Sequence, residues 1–177
     1  MRVVASAFLA VAVVALPAAA SADLVVAAEF DYAGAETNNG DSLSGFGPGV
    51  RVGWTFDLPL LRIEPEVGAS KLELDLGKCP EGFHCTSMEM DRVFAGARVG
   101  LGTGITPGAF VRASYGWADA GVATHGGTIL EAGAFLDFRL FPLVELGVHG
   151  QVGKPDFDDD VIAGTFWGIG AHVGVTL

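Results

Sequence analysis

The sequence predicts an all-β fold, an eight-stranded antiparallel up-and-down barrel that spans a membrane and follows a cleavable export signal. Three observations lead to this prediction. Apolar residues recur at every second position in eight segments. The two faces of these segments differ, because one is uncharged and the other is rich in Arg, acidic residues and Gly. The connections alternate between long and short, which places the short turns together at one end of a barrel.

Residues 1–22 have the pattern of a secretory signal peptide. Arg2 supplies a positive charge, residues 3–16 are small and apolar apart from Ser6, and Pro17 interrupts them. The Ala20-Ser21-Ala22 sequence fits the small-x-small cleavage rule. This apolar run is shorter than the roughly 20 residues that a membrane-spanning helix needs. We therefore expect the mature chain, residues 23–177, to be the barrel and to leave the cytoplasm.

Each predicted strand has one apolar face. The alternating positions, from the first strand to the eighth, are Leu24, Val26, Ala28, Phe30 and Tyr32; Val50, Val52, Trp54 and Phe56; Leu61, Ile63, Pro65, Val67 and Ala69; Val93, Ala95, Ala97, Val99 and Leu101; Val111, Ala113, Tyr115 and Trp117; Leu130, Ala132, Ala134, Leu136 and Phe138; Val144, Leu146 and Val148; and Trp167, Ile169, Ala171, Val173, Val175 and Leu177. Strands of about 9–12 residues are long enough to cross a bilayer at a tilt. Pro65 lacks a backbone donor, so we expect a bulge or a rim position there.

The opposite face holds the charges. Its predicted ionic network comprises Glu29, Asp31, Arg51, Arg62, Glu64, Glu66, Arg92, Arg98, Arg112, Glu131, Asp137, Arg139 and Glu145. His149, Gln151, His172 and many Gly residues share this face. In a soluble barrel this face would meet water, whereas in an outer-membrane barrel it would fill the lumen. The Gly residues favour the lumen, because Gly on a solvated strand costs stability and packs nothing.

An eight-stranded interior is only wide enough for side chains to fill, so we expect the lumen to be a packed ionic plug. The short turns predict two facing pairs, Arg51 opposite Glu66 and Arg139 opposite Glu145, with a two-residue slip as the alternative. Arg98 and Arg112 should form ion pairs with Glu64 or Glu66 on one neighbouring side of the lumen. On the other side they should draw on Glu131 or Asp137.

The connections and the aromatic residues predict an orientation. Long loops alternate with short turns, which places both termini and the turns in the periplasm and four loops outside. Aromatic residues at both ends of the apolar face predict two girdles. The outer girdle comprises Phe30, Tyr32, Phe46, Tyr115, Trp117 and Trp167, and the periplasmic girdle comprises Trp54, Phe56 and Phe138.

The loops offer little chemistry. The two Cys residues, Cys79 and Cys85, lie in the longest loop of an exported chain, where a disulfide is the expected state. A metal site with His84 is the alternative, although a second pair of ligands is missing. The acidic residues of the 156–160 segment lack the Gly and distal Glu of a calcium loop. A solvated loop is the expectation, with a loose divalent site as the alternative.

Residues 23–177 resemble the small eight-stranded outer-membrane barrels of the OmpA/OmpX type in architecture and pattern. The last strand alternates as in that family, but it ends in Leu177 where an aromatic residue is usual. The resemblance implies a monomer in outer-membrane lipid of a Gram-negative-type envelope. It also implies a barrel-assembly machinery that binds the last strand. Relatives that modify lipids would need a His and a Ser near the rim, and here only His84 and Ser87 lie close in sequence.

We expect a non-enzymatic barrel with an envelope-structural role or a surface-interaction role through its loops. The alternatives are a lipid-modifying enzyme, a small porin-like pore and a soluble periplasmic ligand carrier. His149, His172 and Glu145 could be drawn as an acid–base set, but structural partners are the expected role. We predict no cofactor and no metal site. The net charge of -11 and the pI near 4.5 exclude nucleic acid as a partner.

Overall fold

The computed structural model describes residues 22–36, 42–76, 87–119, 124–141, 143–157, 162 and 164–177. Eight strands form, in chain order: β1 (Ala22–Glu36), β2 (Ser42–Asp57), β3 (Leu61–Leu76), β4 (Met88–Leu101), β5 (Ile105–Asp119), β6 (Thr124–Phe141), β7 (Val144–Phe157) and β8 (Phe166–Thr176). Every strand pairs antiparallel with its sequence neighbours, and β8 pairs with β1 to close the barrel. The predicted eight-stranded up-and-down barrel is confirmed.

The barrel has two distinct ends. The turn end carries the short β2–β3, β4–β5 and β6–β7 connections, together with Ala22 and the last residue, Leu177. Leu24 and Leu177 exchange two backbone hydrogen bonds at this end. The loop end carries the four longer connections. At the β4–β5 turn, Gly102 has a φ of 97°, a left-handed conformation that residues with a Cβ rarely adopt.

The strands are longer than the sequence predicted, at 11 to 18 residues. The additional residues lie mostly at the loop end, where predicted loop segments continue as strand. β3, for example, runs on to Leu76, and β7 runs on to Phe157. Charged residues alternate outward there, so the uncharged face that defined each predicted strand ends before the strand does.

Pro65 causes neither a bulge nor a rim position, which corrects that expectation. It lies inside β3 and pairs with Ala97 on β4 without a change of register. On its other side the pairing with β2 is interrupted between Gly53↔Glu66 and Phe56↔Ile63 and then resumes in the same register. The missing donor therefore opens a local gap in one ladder. In the described part of the chain, no helix is long and apolar enough to cross a membrane.

Candidate functional site: the barrel interior

Strand alternation fixes which side chains enter the barrel. Twelve of the thirteen residues of the predicted ionic network lie inside and are buried. The exception is Arg139, which stays at the turn end, half-buried beside Asp57 with 3.7 Å between Nη1 and Oδ2. His149, Gln151 and His172 are also buried inside.

One chain of ion pairs runs from the turn end toward the middle of the lumen. Arg62 contacts Glu145 and Glu64, the latter with 2.9 Å between Nη2 and Oε2. Arg51 contacts Glu64 in turn and donates from Nε to Oε1 of Glu29 at 2.9 Å. Each guanidinium thus bridges two carboxylates from different strands, which satisfies the requirement that buried charges be paired.

Arg112 extends this chain deeper into the barrel. Its Nε donates to Oε1 of Glu66 at 2.6 Å, and its Nη2 lies 3.3 Å from Oε1 of Glu29. The same guanidinium lies over the rings of Phe94 and Phe110, 4.3 and 4.7 Å from their centroids. This arrangement adds cation–π attraction to the ion pairs.

Two further arginines complete the network. Arg98 donates from Nη2 to both carboxylate oxygens of Asp137 at 3.1 Å and lies 4.0 Å from the ring centroid of Phe135. Arg92 pairs with Glu131 and donates from Nε to the hydroxyl of Ser70 at 3.0 Å. Five buried arginines are therefore held by carboxylates across the lumen.

The registers correct part of the predicted pairing. Arg51 faces Gly68, and Glu66 faces Gly53, two residues away from the predicted alignment. Arg51 and Glu66 still approach to 3.5 Å between Nε and Oε2, because the long side chain spans the offset.

At the β6–β7 turn the prediction of register was right and the prediction of an ion pair was wrong. Arg139 faces Glu145, but Glu145 pairs with Arg62 across the barrel. A β-bulge between Arg139 and Phe141 lies at this turn. Arg98 and Arg112 do use two of the four predicted carboxylates, Asp137 and Glu66.

Sequence reasoning missed the rings inside the lumen. Phe94, Phe110 and Phe135 alternate inward among the charges and are buried. The Gly residues make room for these rings as well as for Arg. A Cβ on Gly108 would lie 2.2 Å from Phe135, and a Cβ on Gly133 would lie 2.4 Å from Phe110. Long inward Phe side chains next to inward Gly residues were the available signal.

A second missed feature is an apolar cluster at the loop end of the interior. Its buried members are Ala33, Ala35, Leu43, Leu72, Leu74, Met88, Met90, Ala118, Ile129, Phe157, Ile162 and Phe166. We call this set the loop-end core. It packs against the ionic network on the side of the loop end, where the guanidinium carbon of Arg92 lies 5.1 Å from the ring centroid of Phe166. The interior is therefore ionic in the middle and apolar at the loop end.

The outer wall shows the reverse distribution. Between its two ends every outward side chain in the described strands is uncharged, and many large apolar ones are exposed. We call this band the apolar belt. At the loop end, by contrast, the outward wall carries exposed charged residues: Glu36, Lys71, Glu73, Asp75, Glu89, Asp91, Asp119, Lys154 and Asp156. The Lys71 ammonium donates to Glu89 at 2.7 Å, and this hydrogen bond raises the pKa of Lys71.

The predicted girdle residues all face outward. Toward the loop end, Tyr32 contacts both Phe46 and Trp167, with ring centroids 4.6 and 5.4 Å apart, and Tyr115 contacts Trp117 at 4.9 Å. Phe30 lies beside Phe46. Trp54, Phe56 and Phe138 lie near the turn end.

Several predicted loop features fall outside the described residues. These are the Cys79–Cys85 disulfide, the alternative site with His84, and Asp158, Asp159 and Asp160 of the acidic loop. The predicted acid–base set is partly assembled. His172 lies 3.8 Å from Glu145, and its ring centroid is 6.0 Å from that of His149.

Comparison with solved structures gives the fold a context. The chain matches Neisserial surface protein A with a TM-score of 0.65 and 19% identity, over 87% of this chain and 97% of that one. It also matches Ail, the attachment invasion locus protein of Yersinia pestis, in complex with the heparin analogue sucrose octasulfate. That match has a TM-score of 0.61 and 13% identity over 89% and 99% of the two chains. No family model and no curated protein sequence matches the chain. The chain therefore has the fold of the small eight-stranded outer-membrane β-barrels of the OmpA/OmpX type.

Proposed function

We propose that the protein is a non-enzymatic integral outer-membrane barrel with a sealed lumen, which serves the envelope as a structural or surface-interaction element. The observation that carries this proposal is the opposite polarity of the wall and the interior within the apolar belt. Water-soluble proteins rarely expose a contiguous apolar surface of this extent, whereas a bilayer requires one. A soluble ligand carrier would instead need an apolar cavity, and here ion pairs fill the space.

The same arrangement supports an orientation with the turn end in the periplasm. Ala22, Leu177 and the short turns lie at the turn end, which is the periplasmic end in bacterial barrels of even strand number. The charged wall at the loop end would then project beyond the outer leaflet. The last strand, β8, would carry the contact with the barrel-assembly machinery, and a barrel closed on itself needs no second copy.

A sealed lumen separates this proposal from a porin-like pore. Ions would have to pass the network of five buried arginines and then the loop-end core, which has no polar side chain to replace their hydration. Planar-bilayer recordings with purified protein should show little or no steady conductance. A large, stable open state of the wild type would contradict the sealed lumen and favour the pore.

The membrane location has its own test. Unheated protein should migrate differently from boiled protein in SDS gels, because closed barrels resist the detergent. Cell fractionation should recover the protein only with detergent. Recovery from the periplasm without detergent would contradict the membrane proposal while leaving the fold intact.

A surface role would rest on the loops and the charged wall at the loop end. The Ail structure contains a polyanion, sucrose octasulfate. In the described residues this chain has seven exposed acids and two exposed Lys on the corresponding wall, which disfavours a polyanionic ligand. Lipid A mass analysis with and without the gene tests the lipid-modifying alternative, and an unchanged lipid profile is expected.

A further inference from the structure

Three buried side chains meet in the lumen and have polar atoms that the ion pairs leave without a partner. One ligand atom each from Glu29, His149 and His172 lies within 4.8 Å of the others. The three residues come from β1, β7 and β8, and Glu29 faces His172 across the closing pair of strands. We infer that these residues form a binding site for a divalent transition-metal ion such as Zn²⁺.

The hydrogen bonds leave the right atoms for this purpose. Glu29 takes both of its guanidinium contacts, from Arg51 and Arg112, on Oε1. Its Oε2 has no hydrogen-bond partner among the described residues, and Nδ1 of His172 has none either. An unpartnered buried polar atom costs free energy. A metal bound by imidazole nitrogens and a carboxylate oxygen would remove that cost at about 2.0–2.2 Å from each ligand.

Each imidazole is also backed by a carboxylate. Nε2 of His149 lies 2.9 Å from Oδ1 of Asp31, and Nε2 of His172 lies 3.3 Å from Oδ1 of Asp137. Carboxylates behind metal-binding histidines orient the ring and raise its basicity. Gly147 and Gly170 leave the space that the two rings occupy. A Cβ on Gly147 would lie 2.3 Å from Cε1 of His172, and one on Gly170 would lie 2.7 Å from Nε2 of His149.

The charge balance favours a cation here. The buried interior of the described chain holds seven carboxylates and five arginines, an excess of two carboxylates over guanidinium groups. One divalent ion would neutralise that excess. Imidazole and carboxylate donors together suit zinc, cobalt, nickel and copper better than the hard cations calcium and magnesium.

The test is metal retention by the full mature chain, refolded in detergent with Zn²⁺ or Co²⁺ and then dialysed against metal-free buffer. Wild type should retain about one equivalent, and bound Co²⁺ should show the visible absorption of a site with nitrogen and oxygen ligands. In His149→Gln and in His172→Gln, the amount of metal retained after dialysis should be at least tenfold lower than in wild type. His125→Gln, a change at the loop end, is the matched control and should retain it.

Folding is checked in every variant by heat-modifiable gel mobility. Added Zn²⁺ should raise the urea unfolding midpoint of wild type and His125→Gln but not of His149→Gln. A second cluster, Asp137, Glu145 and His172, shares one residue with this site, so Glu145→Gln is included. Retention lost in Glu145→Gln but kept in His149→Gln would overturn the assignment. Absence of retained metal in wild type would overturn it as well.

Discussion

The apolar belt and the loop-end section of the same barrel obey opposite rules. Within the belt, charged side chains point inward and apolar ones outward. At the loop end, Leu72 and Leu74 point inward, while Lys71, Glu73 and Asp75 point outward on the same strand. β3 therefore reverses its polarity without a break in its alternation. The difference teaches that the outward face of one strand can contact lipid along part of its length and water along the rest. The position of the reversal marks the proposed boundary between the two.

The two sections also differ in what holds them together. The belt section relies on guanidinium–carboxylate pairs that are excluded from water, and the loop-end section relies on an ordinary apolar core. Losing one member of a buried ion pair leaves an uncompensated charge, whereas truncating a core side chain leaves a cavity. Variants in the two sections should therefore fail for different reasons and by different amounts.

The largest expected effect is that of Glu66→Ala. It removes the acceptor of the 2.6 Å contact from Arg112 and leaves part of a buried guanidinium charge unpaired. The free energy of unfolding should fall by about 3–5 kcal/mol, measured by urea titration in detergent or lipid. Glu73→Ala, an exposed acid on the same strand, is the control and should change it by about 0.5 kcal/mol or less. An unchanged midpoint for Glu66→Ala would mean that the lumen is wet.

Leu74→Ala should be the next most damaging, at about 2–4 kcal/mol. Leu74 is fully buried in the loop-end core, and cavities left by such truncations are only partly filled by relaxation. Leu130→Ala on the apolar belt is the matched control. Leu130 is 67% exposed, so its truncation opens no cavity and should cost clearly less. Equal losses for the two variants would argue that the loop-end core is not packed as described.

An added charge tests the level of the boundary itself. Val111→Arg places a guanidinium on the apolar belt and should destabilise the barrel in lipid by about 2–4 kcal/mol if it lies near the bilayer midplane. Glu73→Arg places the same side chain on the charged wall at the loop end, where the change should be within about 0.5 kcal/mol. Equal tolerance of Arg at both positions in lipid vesicles would contradict the proposed boundary.

The sequence predicted the belt section better than the loop-end section for a physical reason. In the belt, period-two alternation, inward charge and outward aromatic residues such as Trp54 all indicate the same face. At the loop end, the apolar residues Leu72 and Leu74 lie on the inward face, whereas the apolar Val67 of the same strand lies on the outward face. Neither face of β3 is therefore apolar along its whole length. A search for a single polarity per strand ends where the polarity reverses.

Within the candidate site, membership of the interior was predictable and partnership was not. Parity alone places Arg51, Glu66 and Glu145 inside. Which carboxylate each Arg reaches depends on register and on long side chains crossing the lumen, as Arg62 does to Glu145. The meeting of Glu29 with His149 and His172 requires the closure of β1 on β8, which no local pattern encodes.

The smallest expected effect concerns the pair at the turn end. Arg139 lies beside Asp57 at 3.7 Å, and both side chains are partly exposed, 24% and 48%. A partly exposed pair contributes only about 0.2–1 kcal/mol, and added salt screens it. A double-mutant cycle with Arg139→Gln and Asp57→Asn should give a coupling free energy in that range that shrinks at high salt. The cycle with Arg139→Gln and Glu145→Gln should give a coupling near zero, although those two residues face each other in register. A larger coupling free energy between Arg139 and Glu145 would mean that residues facing each other in register form the ion pair here, and that Arg139 belongs to the buried network.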